Sequence, residues 1–244
     1  LSPYKLTYTR FSEKSILIQW PEKIDPEILE DLLFYKEKIL KSTTRFRVQV
    51  INTYNTLLVT YDTSDFDFKK EITRLKSVNT LIMDVKPSQH QLWKIPVCYD
   101  AHFGLDLEYL ATVKNISTSD LIKWHTAARY KVYFIGFLPG FLYLGGLDKR
   151  LIIPRRNSPR HHIKKGAVGI GGEQTGIYPN ASPGGWNIIG NSPISFFDSE
   201  RQNPCFATAG DSIQFVPINL DMHRIILEKI ENRNYVLESE VCDG

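Results

Sequence analysis

Glycine is the feature that most limits what this chain can fold into. Twelve of its fifteen glycines lie between Gly136 and Gly190. A residue without a Cβ serves tight turns and close backbone approaches and weakens helix interiors. A segment this rich in glycine therefore reads as short strands joined by turns. Beyond Tyr130 the strand candidates are "KVYFIGF", "AVGIGG", "TGIYP", "WNIIG", "ISFFD" and "DSIQFVPI". That pattern predicts a β-barrel or sandwich with long loops. "MHRIILEKIENRN" fits helix and strand equally.

The first third of the chain has a different grammar. "YKLTYTR", "SILIQW", "FRVQVIN" and "TLLVTYD" read as strands, with a turn at Thr53, Tyr54 and Asn55. "IDPEILEDLLFYKEKIL" reads as a helix: Asp25 caps it, Pro26 fits its first turn, and Ile28, Leu32, Tyr35 and Ile39 share one face. "DFKKEITRLKS" is a second helix. The order ββαββα predicts an antiparallel sheet with helices on one face. The expected organisation is α+β: a small N-terminal α/β domain over 1–78, a linker over 79–93 and a C-terminal barrel over 94–244. Two helices open the second part, "LDLEYLATV" and "STSDLIKWHTAARY", the latter with a Ser117-x-x-Asp120 start.

Composition narrows the function classes. Hydrophobic residues make up 42% and aromatic residues 12% of the 244 positions, enough for a substantial core. A net charge of +3 is too mild for wholesale nucleic-acid binding. No apolar run approaches the roughly 20 residues that cross a bilayer. No secretion signal opens the chain, and its start at Leu1 without Met reads as a trimmed N-terminus. Three widely spaced cysteines argue for a reducing compartment, so the expected setting is cytoplasmic.

"PGGWNIIGNSP" carries the spacing of a phosphate-binding loop, with Asn191 where that loop has Lys. Trp186 to Ile189 looks like strand, and Pro193 discourages the helix such a loop requires. The segment therefore reads as glycine turns bracketing a strand. The basic stretch from Lys149 to Lys165 holds seven Lys or Arg without an intervening acid. Arg155, Arg156 and Arg160 are its candidates for gripping a carboxylate or phosphate in a fork; a solvated loop or docking surface is the plainer reading. His161 and His162 are adjacent, poor geometry for chelating one metal from a strand. No His or Cys spacing matches a zinc site, and no metal is expected. Cys98 reads as a small buried hydrophobe. Ser182 lies outside a Gly-x-Ser-x-Gly elbow. His125 shares an apolar helix face with Leu121, Trp124 and Ala128; it reads first as a core histidine and is kept as a site candidate. Gln174, Thr175, Tyr178, Gly184, Gly185 and Trp186 combine polar groups and aromatics among glycines, as a polar-ligand pocket does.

The stretch from Phe134 to Pro193, "FIGFLPGFLYLGG" through "PRRNSPR" and "GIGGEQTGIYPNASPGGWNIIGNSP", resembles the signature of the family that includes the B subunit of 5-oxoprolinase. That family also holds the kinase A inhibitor of spore-forming bacteria and allophanate hydrolase subunit 1. "IPVCYDAHFGLDLEYLA" is similar to the family's entry into its second domain, and the N-terminal part fits more loosely. The resemblance implies a small α/β domain followed by a cyclophilin-like β-barrel. It implies partners, the 5-oxoprolinase subunits C and A, that act with such a chain to open the small molecule 5-oxoproline to glutamate using ATP. Within it, Arg155, Arg156, Arg160 and Gln174 are the expected catalytic groups. Thr175, Tyr178, Gly184, Gly185, Trp186 and His125 are the expected substrate contacts. The alternatives are inhibition of a sensor histidine kinase and a part in urea or allophanate metabolism. Three positions depart from the family: Asp100-Ala101 stands where the family often has Gly-Gly, and Asn191 replaces a commonly basic residue.

Overall fold

The computed structural model describes residues 2–43, 47–82 and 89–242. The chain divides into two compact units, Leu1–Ser88 and Gln89–Gly244. Of the stretch expected as a linker, residues 83–88 lie outside the described residues.

The first unit runs β1 (Thr7–Ser12), β2 (Ser15–Gln19), α1 (Pro26–Ser42), β3 (Arg47–Asn52), β4 (Thr56–Asp62) and α2 (Phe68–Thr80). Its strands form one antiparallel sheet in the order β1-β2-β4-β3. Strand periodicity puts Leu57, Val59 and Tyr61 of β4 on the buried face. Against them pack Ile28, Leu32, Tyr35 and Ile39 of α1 and Leu75 and Val78 of α2. Both helices start on an aspartate cap: Asp25 accepts from the Glu27 N–H, and Asp67 from those of Lys69 and Lys70.

The second unit contains β5 (His90–Cys98), α3 (Leu107–Lys114), α4 (Thr118–Ala127), β6 (Tyr130–Ile135), β7 (Leu142–Gly145), β8 (Arg160–Ile163) and β9 (Ala167–Gly171). It continues through β10 (Gln174–Ile177), β11 (Ser182–Gly184), β12 (Asn187–Asn191), β13 (Ser212–Ile218), α5 (Leu220–Glu231) and β14 (Ser239–Cys242). β5 opens at His90, inside the stretch expected as a linker. Seven strands follow one path, β10-β9-β12-β5-β13-β6-β7, and β14 joins the side of β5. The β5–β13 pairing is parallel. The path curls into a nearly closed barrel: a Cβ on Gly176 of β10 would stand only 3.1 Å from the Leu142 carbonyl of β7.

Val168, Ile170, Ile189, Ile213 and Phe215 fill the barrel interior together with Leu110 of α3, Leu121 of α4 and Ile226 of α5. The Asp211 carboxylate accepts from the Gln91 N–H, the Trp93 indole N–H and the Thr208 N–H, fastening the start of β5 beside β13. The segment that fitted helix and strand equally is a helix, capped by Asn219 accepting from the Met222 N–H. "ISFFD" is not a strand, contrary to expectation. Its alternation does bury Ile194 and Phe196, but among the described residues no strand pairs with it in a ladder.

The outer face of β9 and β12 is also buried, because the two-stranded ribbon β8–β11 folds over it. Between them sits a second cluster: Phe141, Ile163, Ala167, Tyr178, Trp186 and Ile188. Three of the clustered glycines are explained here. Trp186 lies across Gly169, Gly171 and Gly176. A Cβ on Gly171 would stand 2.6 Å from the indole Nε1, and one on Gly176 3.1 Å from Cζ3. The glycines are a bed for an indole ring.

Candidate functional site

The expected site residues fall into three separate places. The first gathers around Asp106, which precedes α3 and is only 3% exposed. Its carboxylate accepts from Arg156 Nη1 (2.9 Å), from Arg160 Nη1 and Nη2 (2.8 Å each) and from the backbone N–H of Ile188 (2.6 Å). Two guanidinium groups face one carboxylate, so the cluster carries a cation in excess. Among the described residues the buried Arg156 Nε–H has no partner, nor has the buried Ser182 hydroxyl on β11. The Arg156 N–H donates to the Gly185 carbonyl at 2.7 Å, tying the arginine loop to the glycine turn after β11. Sequence reasoning named the arginines and missed Asp106. Its side chain makes no cap for α3 and turns to the arginines instead, which no local sequence pattern records.

The second place is the aromatic cluster. Arg155 is exposed, its guanidinium carbon 5.9 Å above the Trp186 ring. A long 3.5 Å hydrogen bond runs from its Nη2 to Gln174 Oε1. Tyr178 and Trp186 are 3% and 4% exposed, so they shape this wall from beneath; burial raises the Tyr178 phenol above its ordinary pKa. Gly184 is required by packing, since a Cβ there would overlap the Tyr178 hydroxyl and Ile163. Gly185 is not: its nearest neighbour would be 3.7 Å away.

The third place is the barrel interior. His125 and Thr175, expected as substrate contacts, are both fully buried, and the closed packing around them removes them from any contact surface. Thr175 Oγ1 donates to the Gly169 carbonyl at 3.0 Å, so it must accept from His125 Nε2–H at 2.9 Å. His125 Nδ1 then accepts from the Tyr99 hydroxyl at 2.7 Å. The ring stacks on Phe215 with centroids 4.6 Å apart. Burial drives its pKa down to about 3, which keeps it neutral. This is a satisfied core histidine.

The remainder of the basic stretch disperses. Arg150 pairs with Asp148 and covers the Trp124 ring at 3.8 Å. Asn191, in place of a basic residue, donates to the Lys165 carbonyl and accepts from His223 Nε2, so its amide ties the β8–β9 turn to α5. Asp100, where the family has glycine, still makes the turn: its carbonyl accepts from the N–H groups of Phe103 and Gly104, and its side chain from that of His102. Among the described residues no group of three or more His, Cys, Asp or Glu is placed to hold a metal ion, and no helix is long and apolar enough to cross a membrane.

Residues 6–207 match the family model of the carboxyltransferase domain, subdomain C and D. The chain is 47% identical over 126 residues to the B subunit of 5-oxoprolinase from Bacillus subtilis (strain 168), covering 52% of each protein; it thus spans about half the length of that relative. It is 39% identical over 177 residues to the B subunit of 5-oxoprolinase from Haemophilus influenzae, covering 72% of this chain and 81% of that one. The crystal structure of the Kluyveromyces lactis urea amidolyase superposes with a TM-score of 0.81 at 22% identity, over 98% of this chain and 16% of that one. That last likeness is one of fold.

Proposed function

Because the chain belongs to the carboxyltransferase-domain family of subdomains C and D and is a relative of the B subunit of 5-oxoprolinase, we propose that it is the B subunit of an ATP-dependent 5-oxoprolinase. In this reading it works with subunits A and C to open 5-oxoproline to glutamate. The observation that carries the reading at the level of chemistry is the Asp106 cluster. Opening a lactam builds negative charge on the ring oxygen, beside a carboxylate the substrate already carries. Fixed donors aimed at developing charge are the most effective device for such a step. Asp106 holds Arg156 and Arg160 in fixed orientation, while the excess cation remains for a ligand. Arg155, exposed, and Gln174, half-buried, stand at the neighbouring aromatic cluster. Three unpaired cysteines support a reducing, cytoplasmic setting.

ATP does not fit the residues present near these arginines. The cavity lined by Arg160 holds about 120 Å³, whereas pockets for drug-sized ligands hold roughly 300–1,000 Å³. A roomier depression of about 680 Å³ beside α3 and α4 is lined by Glu108 and Asp120 and offers no cation to a triphosphate. The segment with phosphate-loop spacing is β12, not a loop leading into a helix. Nucleotide binding is therefore not placed at this arginine cluster.

The test is reconstitution of the chain with its A and C partners and measurement of ATP-dependent glutamate formation from 5-oxoproline. Turnover is the expected result; its absence with intact, assembled partners overturns the reading. In the active complex, Arg156→Ala is expected to lower kcat/KM by roughly 10²-fold, the scale of a lost charge-stabilising donor. Unchanged turnover with the fold intact removes Arg156 from the site.

A further inference from the structure

We propose that the cavity beside Arg160 is a binding site for a small organic carboxylate. Its basic wall comes from strand periodicity. Residues i, i+2 and i+4 of a strand share a face. Arg160, His162 and Lys164, on β8 and its continuation, all line the cavity. Ile163, between them, also lines it as part of the floor, whereas His161 and Lys165 do not. His102 adds a fourth basic side chain from the opposite wall, held there by the Asp100 turn. No Asp or Glu is among the described lining residues. Asp106, close by, is already saturated by Arg156, Arg160 and the Ile188 N–H. A carboxylate entering this space thus meets cations and no competing acid.

The rest of the lining says what the carboxylate is attached to. Phe103, Ile163, Ala167 and Ile188 make the floor apolar. A mixed wall of this kind suits a molecule with one charged end and a compact apolar body. The volume sets its size. About 120 Å³ lies well below the roughly 300–1,000 Å³ of pockets for drug-sized ligands, so it suits a molecule the size of a single amino-acid ring and not a nucleotide. Inorganic phosphate would satisfy the cations and leave the apolar floor uncovered. Naming 5-oxoproline as the carboxylate rests on the proposed function; the site for a small carboxylate does not.

Titration of the full chain with 5-oxoproline, followed by NMR, tests this. The probes for comparison are 2-pyrrolidinone, the same ring without a carboxylate, and inorganic phosphate. Saturable binding of 5-oxoproline is expected, with neither comparison probe binding as tightly. Lys164→Glu, a change at an exposed side chain, is expected to weaken binding by roughly tenfold or more. Lys165→Glu, one residue along and off the cavity, is expected to leave it unchanged. Thermal unfolding of both variants establishes that they fold. Absence of saturable binding, equal weakening by both variants, or tighter binding of phosphate or 2-pyrrolidinone overturns the inference. The two readings fail separately. Glutamate formation by the complex with binding unmoved by Lys164→Glu sinks the cavity and spares the function; Lys164-dependent binding without glutamate formation does the reverse.

Discussion

At the scale of single residues, two buried ionisable groups have opposite fates. Asp106 is paired: two guanidinium groups and a backbone N–H answer its carboxylate. Asp106→Asn leaves two guanidinium groups without their counter-ion, so a loss of about 2–4 kcal/mol is expected, smaller than for a fully buried pair because both arginines are partly exposed. The urea midpoint measures it, and an unshifted midpoint contradicts it. His125 keeps no charge, and the consequence is a pH dependence. Below its ordinary pKa of about 6.5 the unfolded chain takes up a proton that the folded chain refuses until about pH 3. Stability contributed by the neutral form is thus full above pH 6.5 and falls by about 1.4 kcal/mol per pH unit from there down to about 3. His125→Gln should make the acid limb of a stability–pH curve shallower by that slope; an identical limb refutes the assignment. These two residues also show what was legible. His125 sat on an apolar helix face in the sequence, and its core role could be read there. Asp106 could not be found, because its partners lie 50 and 54 positions away, and no local pattern records a pairing across that distance.

At the scale of elements, glycine content pointed correctly to strands and turns, but turns are only part of its purpose. Three glycines on β9 and β10 exist to admit Trp186, a packing demand that one strand makes on its neighbours. Gly171→Ala pushes the indole out of place and should cost about 1–3 kcal/mol, the usual range for overpacking. A changed near-ultraviolet circular dichroism band should accompany it; a native-like band would show that the ring had room. β8 teaches a related lesson. The adjacency of His161 and His162 argued only against chelation. Once β8 is known to be a strand, the same adjacency separates the two side chains and sends His162 alone to join Arg160 and Lys164. "ISFFD" marks the opposite failure, since alternation encodes burial and says nothing about whether a neighbouring strand exists.

At the scale of the whole molecule, the change of grammar along the chain mirrors its two compact units, because each has its own buried cluster and its own periodicity. Barrel closure was not legible, as it depends on strand order. β5 is the strand on which that order turns: it pairs with β13 on one side and with β12 and β14 on the other. Contacts that join distant parts of a chain form slowly, after loop closure has been overcome. Ile95→Val, a fully buried site on β5, should cost about 1 kcal/mol. That loss should fall mainly on the unfolding limb of a chevron plot; a loss confined to the folding limb would place β5 in the nucleus instead. The same topology has a meaning during protein synthesis. Of the barrel strands, β5 leaves the ribosome first, yet every neighbour that covers its edges is translated from the far end of the unit. For most of the elongation time its row of valine, isoleucine and leucine side chains has no home, and the growing polypeptide must shelter it or have it sheltered by a chaperone.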